Sequence, residues 1–225
     1  MRLVIFDMDG TIVDSQHVIV SAMSAGFAAA GLAPPSHATI LGIVGLSLHE
    51  AVAALAPGED AAGHARIAAG YREAMAAARG KTDGAEATAR LYPGARDVLV
   101  SLAGRPDHLL GIATGKARRG LEHTLEAHGL GSFFVTTQTS DNHPSKPHPA
   151  MVEAALRETG LPAAAAVMIG DTEFDIAMGR AAGVATLGVT WGYHPADRLR
   201  AAGADLLIDD FAELEAALDR LRPAA

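Results

Sequence analysis

The stretch LVIFDMDGTIVD, residues 3–14, decides the fold of this chain. Its four leading apolar residues, Leu3 to Phe6, are too few for a membrane span or a signal peptide, and they fit a short strand buried on both faces. Asp7 and Asp9 follow at the carboxyl end of that strand. Because side chains at i and i+2 of an extended segment point the same way, we expect the two carboxylates to face one spot.

Two carboxylates that face one spot disfavour joint ionisation unless a cation lies between them or one of them holds a proton. Asp7 and Asp9 therefore predict a metal site, an acid/base pair, or both. A lone Asp-x-Asp pattern is weak, since acidic residues after a strand often form a solvated loop or cap a helix. The longer pattern Asp-x-Asp-Gly-Thr after a buried strand is much more specific. Asp14, which closes the stretch, is interpreted as a helix cap rather than a ligand.

The composition is that of an ordinary globular protein and narrows the classes of partner. The chain has 225 residues, of which 49% are hydrophobic and 20% charged. A net charge of -8, with no Lys/Arg run beyond Arg118-Arg119, argues against nucleic acid and anionic membranes as partners. The lack of cysteine excludes disulfides and thiolate chemistry. No apolar stretch reaches about 18 residues and no secretory signal is visible, so we expect a cytoplasmic protein.

The order of helical and strand-like segments predicts an α/β fold with a helical domain inserted after the first strand. From residue 15 to residue 90 the sequence is helical in character, with breaks at residues 31–35, at Pro57-Gly58 and near residues 80–84. From residue 91 onward, apolar runs alternate with helical segments of about 10–15 residues, as in a parallel sheet covered on both faces. We therefore expect a Rossmann-like core of residues 1–14 and 91–225 and a smaller, all-helical domain of residues 15–90. Within the core, strands are expected at residues 109–113, 133–136, 166–169, 185–189 and 206–208, and helices at residues 98–102, 118–128, 149–158 and 175–182.

Polar residues follow the apolar runs of this core where each run ends. The run GIA ends in Thr114-Gly115-Lys116, the run VMIG ends in DTEFD at residues 171–175, and Lys146 lies between Ser145 and Pro147. Since ligands gather at the carboxyl ends of parallel strands, we expect these groups and the first two aspartates to meet at one edge of the sheet. Acidic groups, a hydroxyl and a lysine together suit a divalent cation beside a phosphate.

These motifs resemble those of the haloacid dehalogenase superfamily, and within it the phosphoglycolate phosphatase-like branch with a helical cap. The four motifs occur in order as Asp7-x-Asp9-Gly10-Thr11, Thr114, Lys146 and Gly170-Asp171-x-x-x-Asp175. The strings TGKARRGLEHTLEAHGL, SKPHPAMVEAAL and VTWGYH are also similar to phosphoglycolate phosphatases, so the resemblance covers nearly the whole chain. Taken singly, Thr114 could be a helix cap and Lys146 a surface lysine. Gly115 departs from the branch, many of whose members have asparagine there.

The resemblance implies a phosphatase that works through an aspartyl-phosphate. Asp7 would attack phosphorus, and a carboxylate at neutral pH needs no base to activate it. Asp9 would protonate the leaving alcohol and later deprotonate the attacking water. Dehalogenases of the superfamily lack this second aspartate because a halide leaves without a proton, so Asp9 favours phosphoryl chemistry.

The resemblance also implies a Mg²⁺ ion and a phosphate cradle. The ion would be held by Asp7, by the backbone carbonyl of Asp9 and by Asp171, with support from Asp175. Lys146 would offset the charge of the phosphate. The other residues expected near the phosphate are Gly10, which permits close backbone approach, Thr114 and the N–H of Gly115.

The substrate is less well defined by the sequence. Within residues 42–46, Gly45 belongs to a loop that resembles the cap loop facing the site, and Arg72, His49 and Lys116 are candidate contacts for an anionic substrate, or else solvated side chains. We expect a small phosphorylated metabolite as partner, phosphoglycolate first, and a monomer or homodimer. Pyrophosphate hydrolysis, β-phosphoglucomutase-like chemistry and a catalytically retired binding protein stay open as alternatives.

The ten histidines include His143 and His148, which flank Lys146. No pair has the spacing of a zinc site on a helix with a third partner, so most are expected on the surface or in loops.

Overall fold

A six-stranded parallel sheet forms the centre of the protein in the computed structural model, which describes residues 1–79 and 89–221. The strands are β1 (Arg2–Phe6), β2 (Val13–Asp14), β3 (Arg90–Leu91), β4 (His108–Thr114), β5 (Phe134–Thr139), β6 (Ala166–Gly170), β7 (Ala185–Val189) and β8 (Leu206–Ile208). The sheet has the order β5-β4-β1-β6-β7-β8, and β1 pairs in parallel with both β4 and β6. The predicted α/β fold is confirmed, with the first strand at the centre of the sheet.

Helices occur at all four positions predicted for the core and within the region predicted to be helical. They are α1 (Gln16–Ala29), α2 (His37–Leu41), α3 (Leu48–Leu55), α4 (Ala61–Arg79), α5 (Ala95–Ala103), α6 (Arg118–Ala127), α7 (Ala150–Thr159), α8 (Glu173–Ala181), α9 (Ala196–Ala201) and α10 (Leu214–Arg220). Helices α1–α4 are called the helical insertion here. Residues 31–35 separate α1 from α2, and Pro57-Gly58 separates α3 from α4, because glycine and proline end helices. The break predicted near residues 80–84 lies outside the described residues.

Two short strands mark the ends of the helical insertion, where the sequence predicted no strand. Val13 pairs with Leu91 and Asp14 with Arg90 in an antiparallel ladder of two residues on each side. Such a ladder is too short to leave an alternating pattern in the sequence. Helices α9 and α10 were not predicted either.

Three apolar clusters form the core. Val4 and Phe6 of β1 face the cluster shared with α5, α6 and α10, while Leu3 and Ile5 face the cluster shared with α7 and α8. This alternation is the two-residue period of a strand buried on both faces. The third cluster lies inside the helical insertion, where a Cβ on Gly70 would come within 3.0 Å of the Gly26 Cα, so α1 and α4 pack closely.

Among residues 1–79 and 89–221, no helix is both long enough and apolar enough to cross a membrane.

Candidate active site

Three buried carboxylates meet at the carboxyl ends of β1 and β6. Asp7, Asp171 and Asp175 each offer an oxygen that lies within 4.8 Å of the other two. Asp7 and Asp171 converge because β1 and β6 are neighbouring strands, and the Asp7 N–H donates to the Ile169 carbonyl over 2.9 Å. Asp175 comes from the first turn of α8. The strands and the helix N-terminus thus place three acidic groups at one point.

Lys146 lies among these carboxylates. Its Nζ is 2.8 Å from Asp7 Oδ1 and 2.6 Å from Asp175 Oδ1, and its side chain is fully buried. The other oxygen of Asp175, Oδ2, accepts hydrogen bonds from the N–H of Thr172 over 3.0 Å and from its hydroxyl over 2.6 Å. Both oxygens of Asp175 are therefore already engaged by protein donors.

The charges of this cluster do not balance. Burial raises the pKa of Asp7 to about 6, against the opposing effect of Lys146, and burial together with Asp175 and Asp7 raises the pKa of Asp171 well above 3.8. Burial would lower the pKa of Lys146, but Asp175 and Asp7 outweigh it and raise that pKa, so the lysine stays charged. One ammonium thus faces three carboxylates. A divalent cation with hard oxygen ligands fits this set of donors, because it would supply the missing positive charge.

Hydrogen bonds to both oxygens and close glycine backbone hold the Asp171 carboxylate in place. Its Oδ1 accepts a hydrogen bond from the Thr11 hydroxyl, and its Oδ2 accepts one from the Tyr193 N–H, each over 2.9 Å. A Cβ on Gly10 would lie 2.2 Å from Oδ2, and Gly10 has a φ of +87°, which favours glycine. A Cβ on Gly192 would lie 2.1 Å from the Asp171 Cβ. The backbone can approach this carboxylate only because both residues are glycines.

Asp9 is fixed through one of its two oxygens. The Ser15 hydroxyl donates to Asp9 Oδ1 over 2.5 Å, and Lys116 Nζ lies 2.9 Å from the same oxygen. The Tyr193 hydroxyl accepts from the Ser15 N–H over 2.9 Å and lies 3.1 Å from Ser15 Oγ. Since the Ser15 proton is directed at Asp9, Tyr193 is the donor to Ser15 Oγ. Among residues 1–79 and 89–221, no group donates to Asp9 Oδ2.

The protonation of Tyr193 supports this direction of donation. Burial, followed by the charge of Asp9, raises the pKa of Tyr193, so its hydroxyl keeps its proton. Ser15 and Tyr193 were not predicted as site residues. VTWGYH was noted as similar to phosphoglycolate phosphatases, but the contact between Ser15 and Tyr193 spans 178 residues and has no local signal.

The loop between α2 and α3 closes over the end of β4. This closure loop comprises residues 42–47. A Cβ on Gly115 would lie 2.3 Å from the Gly45 carbonyl oxygen and 2.7 Å from that of Leu46. The Ser47 N–H donates to Ser145 Oγ over 2.8 Å. The backbone of the closure loop therefore lies where a side chain at position 115 would be.

His194 forms a second link between the closure loop and the core. The Glu173 N–H donates to His194 Nδ1 over 3.1 Å, so Nε2 carries the proton and donates to the Gly42 carbonyl over 3.2 Å. Burial, followed by the charge of Arg198, lowers the pKa of His194 and favours this neutral form. His194 is buried, unlike the surface position expected for most histidines.

A cavity of about 460 Å³ lies between the helical insertion and the sheet. Among the predicted site residues, those that line it are Asp7, Asp9, Thr114, Gly115, Lys116, Gly45, Arg72 and His49. Thr114 is buried at the end of β4, whereas Arg72 and His49 are exposed. Asp171, Asp175, Lys146 and Gly10 are not part of the cavity lining, and of these Lys146 contacts the Asp7 side chain. Lys116 contacts Asp9, so this lysine has a partner within the protein.

Comparisons with known proteins agree with this geometry. A family model described as haloacid dehalogenase-like hydrolase matches residues 4–189. The "Probable phosphatase IndB" of Dickeya dadantii is 36% identical, covering 97% of this chain and 94% of that protein. A phosphoglycolate phosphatase of Rhodospirillum rubrum is 34% identical, covering 95% of this chain and 89% of that protein. A hydrolase from Pseudomonas syringae, 24% identical, shares the fold with a TM-score of 0.85 over 99% of this chain and 100% of that one.

We predict that Gly115→Asn loosens the closure loop. The new side chain would meet the Gly45 and Leu46 carbonyls, so the loop has to move away and lose the bond from Ser47 to Ser145. Amide hydrogen exchange within residues 42–47 should become at least about tenfold faster. Gly131→Asn is the control, since a Cβ there meets nothing within 4 Å. Unchanged exchange in Gly115→Asn would contradict the close packing of the loop.

We also predict that Asp7→Asn stabilises the metal-free protein at pH 8. The folded state holds a proton on Asp7 between the ordinary pKa of 3.8 and about 6, so the unfolded state binds fewer protons there and stability falls as pH rises through this window. Asparagine stays neutral, so the melting temperature should exceed that of the wild type by about 2–4 °C or more at pH 8 and match it near pH 4.

The control for this experiment is Asp197→Asn, whose side chain is 95% exposed. It should not raise the melting temperature at pH 8. Adding Mg²⁺ at pH 8 should stabilise the wild type more than Asp7→Asn. A variant that is less stable than the wild type at pH 8 without metal would show that the carboxylate cluster is not strained by its charge.

Proposed function

We propose that this chain, which belongs to the haloacid dehalogenase-like hydrolases, is a Mg²⁺-dependent phosphatase that hydrolyses a phosphate monoester through a phosphorylated Asp7. One observation carries the proposal. Asp7 lines the cavity while Lys146, Asp171 and Asp175 surround it from below, so a reactive carboxylate faces the space where a substrate fits. The names of the phosphatase relatives support the same reaction class.

Asp7 acts as the nucleophile. Its oxygen forms a bond to phosphorus while the bond from phosphorus to the alcohol oxygen breaks, and water then releases inorganic phosphate and regenerates the carboxylate. The negative phosphate repels an attacking carboxylate, so the reaction needs positive charge beside Asp7. The Nζ of Lys146, 2.8 Å from Asp7 Oδ1, supplies part of it.

Asp9 acts as the acid and then as the base. Ser15 and Lys116 both contact Oδ1, so Oδ2 is the oxygen that carries the proton to the leaving alcohol and later accepts one from water. The chain from Tyr193 through Ser15 keeps Oδ1 as an acceptor. This geometry supports the role given to Asp9 by the resemblance.

The remaining site residues hold the phosphate and the metal. Asp7, Asp171 and the backbone carbonyl of Asp9 would hold Mg²⁺, with Asp175 in a supporting role, since both its oxygens already accept from Lys146 and Thr172. When bound, Mg²⁺ offsets the charge of the phosphate and makes phosphorus easier to attack. The hydroxyl of Thr114, the N–H of Gly115 and the ammonium of Lys146 bind the phosphate oxygens. The glycines at positions 10 and 45 allow the backbone to approach.

Residues 15–90 act as a cap over a core of residues 1–14 and 91–225. The closure loop at residues 42–47 excludes water from the reacting atoms, which favours transfer to Asp7 over side reactions. Phosphoglycolate is the reference substrate, because several relatives carry that name and Arg72 at the rim could contact an anionic ester. Hydrolysis of a monoester with release of inorganic phosphate would distinguish this function from pyrophosphate cleavage, mutase chemistry and binding alone.

The nucleophile is tested with Asp7→Asn. Hydrolysis of 4-nitrophenyl phosphate in Mg²⁺ should become undetectable, because the amide neither attacks phosphorus nor carries the charge that holds the metal. Asp14→Asn is the control, since Asp14 accepts from the Gln16 N–H outside the site and its loss should leave the rate nearly unchanged. Chelation should abolish the wild-type rate and Mg²⁺ should restore it. A rate of one tenth or more in Asp7→Asn would sink the assignment.

The acid/base role is tested with Asp9→Asn on two classes of ester. The variant should slow an alkyl ester far more than a nitrophenyl ester, whose phenolate leaves almost without a proton. Because release of the phosphoryl group from Asp7 also needs Asp9, rapid mixing should show a burst of phenolate and intact mass should show added phosphate. Equal losses on both esters without a burst would remove Asp9 from acid/base chemistry.

A further inference from the structure

The cavity has its full volume with the closure loop in contact with the core. Ser47 is hydrogen-bonded to Ser145, His194 is hydrogen-bonded to Gly42, and Gly115 packs against the Gly45 carbonyl. The volume of about 460 Å³ is thus present while the loop contacts the core. Pockets of about 300–1,000 Å³ enclose drug-sized ligands, so a phosphate with a two-carbon alcohol leaves much of this cavity unfilled.

The two ends of the cavity differ in chemistry. The end near the sheet is polar, with Asp7, Asp9 and Thr114. The far wall comes from α1, the closure loop and α4, and most of its side chains are apolar. Its partly exposed members are Leu46, Tyr71 and Met75, whereas Ile19, Met23 and Val44 belong to the buried core of the helical insertion. Methionine and aromatic side chains offer an adaptable apolar surface to a ligand.

Among the described residues that line the cavity, no basic side chain is both buried and unpaired. Lys116 Nζ is 2.9 Å from Asp9, and His49, Arg72 and Arg119 are exposed at the rim. The carboxylate of a glycolate group directed at the wall would lose its water without gaining a buried cation, at least among the lining residues that the structure describes. Such a loss is costly, whereas an apolar group gains from the same contact.

We infer that the preferred substrate is a phosphate monoester of an alcohol larger than glycolate, with an apolar group that packs against Leu46, Tyr71 and Met75. The inference rests on the proposed phosphatase function and narrows its substrate class. In the reaction, water takes up the phosphoryl group by way of Asp7, and the alcohol leaves with the proton from Asp9. The apolar wall then holds the part of the alcohol furthest from phosphorus.

The experiment compares kcat/KM for three esters of primary alcohols with Mg²⁺ bound: ethyl phosphate, phosphoglycolate and 2-phenylethyl phosphate. We expect 2-phenylethyl phosphate to exceed both others by at least about tenfold, because its ring buries apolar area that they lack. Met75→Ala should reduce this preference over ethyl phosphate several-fold, because it removes part of the wall. Leu55→Ala is the matched control, since Leu55 belongs to the same helical insertion but does not line the cavity, and it should leave the preference unchanged.

The outcomes separate this inference from the function on which it rests. If phosphoglycolate has the highest kcat/KM and Arg72→Ala abolishes that advantage, the site recognises a carboxylate and the inference is wrong, while the phosphatase function stands. Equal rates on all three esters, or a preference that Met75→Ala leaves intact, would also overturn it. If the wild type hydrolyses none of the three esters and no 4-nitrophenyl phosphate, the proposed function fails and the inference fails with it.

Discussion

The burial of three carboxylates around one ammonium is the constraint on which the site depends. Asp7, Asp171 and Asp175 are buried, and among the described residues Lys146 is the one basic side chain that contacts them. Carboxylates in such surroundings are tolerated only when each has donors or a counter-charge. The hydrogen bonds from Thr11, Thr172 and Tyr193, together with the cation that the cluster fits, meet this requirement. The folded chain therefore has an affinity for cations at this carboxylate cluster.

The closure loop depends on small residues in the same way. The carbonyls of Gly45 and Leu46 occupy the place of a side chain at position 115, and Gly45 itself has a φ of +105° with its missing Cβ 3.0 Å from Thr172 Oγ1. Contacts this close between two parts of the chain permit little sliding, because interiors pack densely. The shape of the cavity is therefore set by backbone as much as by side chains.

The sequence was sufficient to predict the fold class and the residues that meet at the edge of the sheet. Parallel strands bring their carboxyl ends together whatever joins them, so the sequence alone predicts that Asp7, Thr114 and Asp171 lie near one another. The roles of Ser15, Tyr193 and His194 could not be predicted in this way. Each depends on a tertiary contact between distant segments, and hydrogen bonds of that kind leave no periodicity. The lining of the cavity could not be predicted either, because Tyr71 and Met75 give the same apolar helix pattern whether they face a core or a cavity.

The short ladder of β2 and β3 has a consequence for how this architecture varies. The chain leaves the sheet layer at Asp14 and returns at Arg90, and these two residues are paired with each other. The Tyr92 N–H continues the contact by donating to the Ile12 carbonyl over 3.0 Å. The two ends of the helical insertion are thus held together by backbone hydrogen bonds, and these bonds do not depend on the sequence inserted between them. Segments of very different length could be exchanged at this position without displacing a strand, so a new ligand preference can evolve while the chemistry at the strand ends is conserved.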